Sequence, residues 1–147
     1  MARSAASLVD VNVWLALLVK EHVHHVLARE WFETLAPRHA GLCRVVQLSL
    51  LRLLGNRMIM ASGALSAGEA WNRIEELLQD ERLKFHREPS GLDTLLPELL
   101  GYPSAAGNLI ADAYLAAFAM GSDLQLATFD HGFQRFRGLR LSLFNKA

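Results

Sequence analysis

The stretch "NLIADAYLAAFAMGSDLQLATFDHGF", Asn108–Phe133, is the part of the chain whose reading decides the fold. Its first half is alanine and large apolar residues around one charge, Asp112, the only Asp, Glu, Lys or Arg between Glu98 and Asp123. Such a segment reads as a helix that is apolar nearly all round and therefore buried. After Gly121 the pattern changes, and "DLQLATFD" is a short apolar run closed by an acid, as in a buried strand. A buried helix delivering a buried strand points to a layered α/β structure. It also poses a chemical problem, because a buried carboxylate is costly unless it is protonated, paired or bound to a cation.

The same alternation runs through the rest of the chain. "SLVD" (7–10) is a short strand ending at Asp10, followed by a helix in "VNVWLALL". "HVHHVLAREWFETLA" (22–36) spaces Val23, Val26, Leu27, Trp31 and Leu35 for one helical face. "AGL" (40–42) reads as a second strand, and "CRVVQLSLLRLLG" (43–55) as a helix closed by Gly55. "NRMIMASGALS" is a flexible connection into Ser66, which with Glu69 has the spacing of a capping box. The helix that follows puts Trp71, Ile74 and Leu78 on one side. "ERLKFHRE" is a third strand, "SGLDTLLPELLG" a short helix, and the buried helix is expected from residue 105. "HGFQRF" is a turn or short helix, and "LRLSLF" a last strand. The expectation is an α/β fold, a three-layer α/β/α sandwich with a central, mostly parallel sheet, in a single domain over residues 1–147.

Composition sets limits. Hydrophobic residues make up 52% and charged residues 20%, apolar enough to predict a face covered by a partner or a second copy. Charges interrupt every apolar run before the length of a membrane span, about 18 residues, and "MARSAASLVD" has too short an apolar core for a signal peptide. Cys43 is the one cysteine, which excludes a disulfide framework or cysteine metal cluster and fits the cytoplasm. A net charge of zero argues against a protein that coats nucleic acid generally, but leaves room for a local basic patch.

In a parallel sheet, sites form beyond the carboxyl ends of the strands. Asp10 and Asp130 each follow a strand, so both are placed to converge on one edge. Asp10 also suits a helix N-cap and Asp130 a turn, with Thr128 supporting it. Three carboxylates brought together repel one another, and an all-oxygen ligand set relieved by a divalent ion suits Mg²⁺ or Mn²⁺ better than zinc. Asp112 is expected to help bind that metal.

The segments "LVDVNVWLAL", "EHVHHVLAREWF", "CRVVQLSLLRLL", "NLIADAYLAAFAMGSDLQLATFDHGF" and "RGLRLSLF" follow one another as in PIN domains, and the chain most resembles the VapC-type toxins of bacterial toxin–antitoxin pairs. The resemblance runs from Leu8 to about Phe144. It implies a Mg²⁺- or Mn²⁺-dependent ribonuclease with Asp10, Asp112 and Asp130 as metal-holding catalytic acids and Asn12 and Thr128 as polar supports. Where the family usually has a glutamate in the third helix, this chain has Gln47, which keeps a carbonyl oxygen but removes a charge. Gln47 is thus expected to orient water or substrate. Arg44, Arg135 and Arg137 are candidates for substrate phosphate, alongside Arg52, Arg57 and Arg140. The histidines of "HVHH" are assigned to structure, and His131 to the surface. The resemblance further implies a homodimer and a cognate VapB-type antitoxin whose tail blocks the cleft. The alternative is a catalytically silent PIN-like module that binds RNA or an antitoxin. A haloacid-dehalogenase-type phosphatase would need an Asp at position 12, where this chain has Asn. A response-regulator receiver would need a lysine after a late strand, and the lysines are Lys20, Lys84 and Lys146.

Overall fold

The computed structural model describes residues 5–101 and 109–144. Five short strands form one sheet: β1 (Ser7–Val9), β2 (Ala40–Cys43), β3 (Leu83–His86), β4 (Gln125–Thr128) and β5 (Leu141–Leu143). Their order is β3-β2-β1-β4-β5, and every neighbouring pair is parallel. The helices are α1 (Val11–Leu18), α2 (His25–Glu33), α3 (Arg44–Leu54), α4 (Arg57–Met60), α5 (Ala67–Leu77), α6 (Leu92–Leu100) and α7 (Leu109–Gly121). They flank the sheet in two groups: α3 packs on α1 and α5, and α6 on α7. The result is the α/β/α sandwich expected from the alternating pattern.

Parallel strands buried on both faces need apolar residues at successive positions rather than alternating ones. Leu8, Val9, Leu42, Leu126 and Ala127 supply them, all fully buried. Trp14 of α1 and Phe118 of α7 fill the space against them. Gly121 lets α7 end close to the loop before α6, since a Cβ there would sit 2.9 Å from the Pro89 ring.

Several details differ from the sequence reading. Val23 lies before α2, where it and Val26 are exposed, and the buried positions are Ala28, Phe32 and Leu35. Small Ala28 faces inward because α2 packs closely on α1, while Leu27 and Trp31 of the expected face do pack against the core. The capping box at Ser66 and Glu69 is formed, but Ala70 rather than Trp71 joins Ile74 in the core. The connection expected to be flexible contains α4 and a 3₁₀ turn at Ala61–Gly63. The expected first residues of the α7 helix, 105–108, lie outside the described residues. Helix α7 is not buried all round, for Ile110 is 73% exposed and Ala111 is also exposed.

Going outward from β1, the chain winds to β2 and β3 on one side, then returns to β4 and β5 on the other. The gap between the carboxyl ends of β1 and β4 is therefore the point where the winding direction reverses, the usual place for a site in such a sheet.

Candidate active site

Asp10 is the first residue beyond β1, and its backbone N–H donates to the Ala127 carbonyl of β4 at 2.9 Å. Its carboxylate caps α1, accepting from the Val11 N–H at 2.8 Å. The other carboxylate oxygen accepts from the Thr128 hydroxyl at 2.7 Å. That hydroxyl also accepts the Asp130 N–H at 2.9 Å. One fully buried threonine thus fixes the acid after β1 and the backbone of the acid after β4. Asp130 in turn caps the 3₁₀ turn His131–Arg135 through the Gly132 N–H at 2.7 Å. Burial pushes the Asp10 carboxyl above its ordinary range; Thr128 and Val11 pull it back, and repulsion from Asp130 and Asp112 pushes it up again.

Asp10, Asn12, Asp112 and Asp130 line one cavity of about 280 Å³. Ser49 adds a hydroxyl, and Val45, Val46 and Leu115 form much of the apolar wall. Asp10 and Asp130 come from the ends of β1 and β4, as the strand-end argument required, while Asn12 comes from the first turn of α1 and Asp112 from the first turn of α7.

Asp112 has found a cation within the chain. Arg135 Nη2 donates to Asp112 Oδ2 at 2.7 Å, with the two side chains 22% and 15% exposed. Arg135 Nη1 donates to the Gly132 carbonyl at 2.9 Å, and the guanidinium lies 4.7 Å above the Phe136 ring. The guanidinium that the sequence offers to substrate phosphate is, in this structure, the partner of the helical acid. Among the described residues, no three His, Cys, Asp or Glu side chains are grouped closely enough to hold one ion.

Gln47 is not among the residues lining the cavity. It is 1% exposed, and its carbonyl oxygen accepts from Arg44 Nη1 one helical turn earlier. Helix α3 presents Val45, Val46 and Ser49 to the acids instead. Ser49 escaped the sequence reading, although a hydroxyl three residues after Val46 on an otherwise apolar face was a usable signal. Arg44 and Arg137 are exposed, as are Arg52 and Arg57, while Arg140 pairs with Asp123 at 2.9 Å. The histidines are structural: His22 accepts the His24 N–H, His24 stacks on Phe129 at 4.7 Å, and His25 meets the Ala16 carbonyl at 2.7 Å.

The family model described as "PIN domain" matches residues 7–139. The chain belongs to the PIN domain family. This PIN chain is 40% identical over 144 residues to Ribonuclease VapC41 of Mycobacterium tuberculosis, covering 95% of this chain and 99% of that one. Among solved structures, its PIN fold matches VapBC2 from Rickettsia felis, bound to a promoter DNA fragment, with a TM-score of 0.68 at 15% identity over 95% and 99% of the two chains. It also matches Mycobacterium tuberculosis VapC20, described as a sarcin-ricin loop cleaving toxin, with a TM-score of 0.64 at 16% identity over 88% and 93%.

Proposed function

We propose that this PIN protein is a metal-dependent endoribonuclease acting as the toxin of a bacterial type II toxin–antitoxin pair. One observation carries the reading: Asp10, Asp112 and Asp130, distant in sequence, line a single cavity at the reversal point of the sheet. The similarity to a protein named a ribonuclease supports the reaction class.

The donor set fits Mg²⁺ or Mn²⁺, being carboxylate oxygen throughout, and the mutual repulsion felt at Asp10 is the kind a divalent cation relieves. Asp10, Asp112 and Asp130 would hold it only after drawing closer together than they stand here, and it would then polarise the scissile phosphate and acidify a water. Thr128 keeps Asp10 and Asp130 in place. Asn12 and Ser49 offer polar contacts to phosphate oxygens. Arg135, once released by Asp112, is a forked donor at the cavity wall, suited to charge developing on phosphate. A VapB-type antitoxin would satisfy the same acids with a basic side chain, and the resemblance to VapBC2 supports such a partner. Val45 and Leu48 on α3, with Met58 and Ile59 on α4, are exposed apolar side chains that suit a second copy of this chain. No helix among the described residues is long and apolar enough to cross a membrane; buried, unpaired Cys43 fits a reducing cytoplasm.

The test is cleavage of total bacterial RNA by purified protein with Mg²⁺ or Mn²⁺, with Asp112→Asn in parallel. Discrete fragments that vanish in the variant and in EDTA are expected. Absence of cleavage with either metal overturns the reading. Neutral Gln47, tied to Arg44, favours one second reading, a PIN module that binds RNA or antitoxin without cutting. Activity gained by Gln47→Glu in an inactive parent would select it.

A further inference from the structure

A larger cavity, of about 560 Å³, opens beside the acidic one. It lies where β3 ends, between the first turn of α3 and the middle of α7, and its walls include Arg44, Phe85, His86, Arg87, Tyr114 and Phe118. Val45 lines both cavities, and Tyr114 is two residues from Asp112. The shared Val45 wall puts this second space within reach of a strand whose phosphate sits among the acids.

Its chemistry is planar and cationic. Half-buried Phe85 and Tyr114 supply aromatic surface, with buried Phe118 behind them, and the Arg44 guanidinium already lies 4.8 Å above the Phe85 ring. Arg87 is exposed at the rim, and α3 begins here without a side-chain cap, adding the positive end of its dipole. Glu88, the acid on this wall, is occupied, accepting the Tyr114 hydroxyl at 2.6 Å. His86 Nε2 is buried without a hydrogen-bond partner among the described residues. Aromatic faces beside arginines are how unpaired bases and their phosphates are held together. The volume lies within the range of small-ligand sites, about 300–1,000 Å³, which accommodates a nucleotide.

We propose that this cavity binds one nucleotide of the RNA next to the scissile phosphate, its base against Phe85 and Tyr114 and its phosphate on Arg44 and Arg87. The inference rests on the ribonuclease reading and adds where sequence preference arises. Gln47 then acts as a positioning residue, because its bond to Arg44 holds that guanidinium at the mouth of the pocket.

The experiment uses the whole, metal-free chain and the four nucleoside 5′-monophosphates, followed by NMR, then steady-state cleavage of an RNA with one cut site. At least one nucleotide is expected to shift the resonances of Phe85, Arg87 and Tyr114. Arg87→Ala, at an exposed position that leaves the fold intact, is expected to weaken that binding about tenfold, as loss of a charge-assisted contact does. It should raise KM for RNA by a similar factor with kcat little changed, the sign of uniform binding. Phe85→Leu should redistribute the cut sites. The proposal is overturned if no nucleotide shifts the pocket, or if both variants bind and cut as the parent does. Nucleotide binding here by a parent that cleaves no RNA supports the pocket and overturns the ribonuclease reading instead.

Discussion

Replacing Arg135 by Gln separates two roles of one ion pair. The Arg135–Asp112 contact is 2.7 Å long, with the side chains 22% and 15% exposed. Exposed pairs contribute up to about 1 kcal/mol, and breaking a fully buried pair costs about 3–5 kcal/mol. This pair falls between them, at about 2 kcal/mol. In EDTA, Arg135→Gln should therefore melt about 4–8 °C below the parent for a chain of this size. With saturating Mn²⁺ the gap closes. The parent must give up the pair before Asp112 can ligate, and the variant need not, so Mn²⁺ should bind the variant about 30-fold more tightly, the same 2 kcal/mol expressed as affinity. Calorimetric titration without RNA reads this independently of catalysis. Equal or weaker Mn²⁺ binding by the variant, or an unchanged melting temperature in EDTA, refutes the idea that arginine and metal compete for Asp112.

Three further outcomes are expected. Thr128→Val keeps the shape but removes the hydroxyl shared by Asp10 and Asp130; denaturant melts should show a loss of about 1–3 kcal/mol, and RNA cleavage should fall further than stability does. Ile74→Ala, in the α5 core, should cost about 2–5 kcal/mol in the same melts while leaving Mn²⁺ affinity unchanged. Arg82 holds the Asp80 carboxyl below its usual range by a side-chain hydrogen bond, so the stabilisation is complete above the ordinary carboxylate pKa and disappears as pH falls through the lowered one. Asp80→Asn should thus cost about 0.5–1 kcal/mol at neutral pH and converge with the parent in strong acid, as urea melts across pH would show.

The strands and most helices were legible because each pairs a period with a terminator. Asp10, Ser66 and Asp130 all cap the segments that follow them. The placement of Asp10 and Asp130 at one edge followed from parallel topology alone. Other features depended on packing distances that a pattern does not carry. Ala28 and Ala70 face the core because the helices come close, leaving Val26 and Trp71 outside. Arg135 reaches Asp112 across 23 positions, and nothing local in "HGFQRF" distinguishes that guanidinium from Arg137. Gln47 was placed at the acids by likeness, whereas the turn of α3 gives that wall to Val46 and Ser49.

Strand order has a consequence for when the acidic edge can assemble. Asp10 is made more than a hundred residues before its neighbour in the sheet, β4. Until β4 is free to slot in beside β1, Thr128 cannot bind Asp10 and Asp130 has no edge to occupy. A growing chain that still lacks β4 carries Asp10 and Asp112 but no completed centre. The acidic edge is completed only once β4 has paired with β1 and Thr128 has joined the acids of both strands.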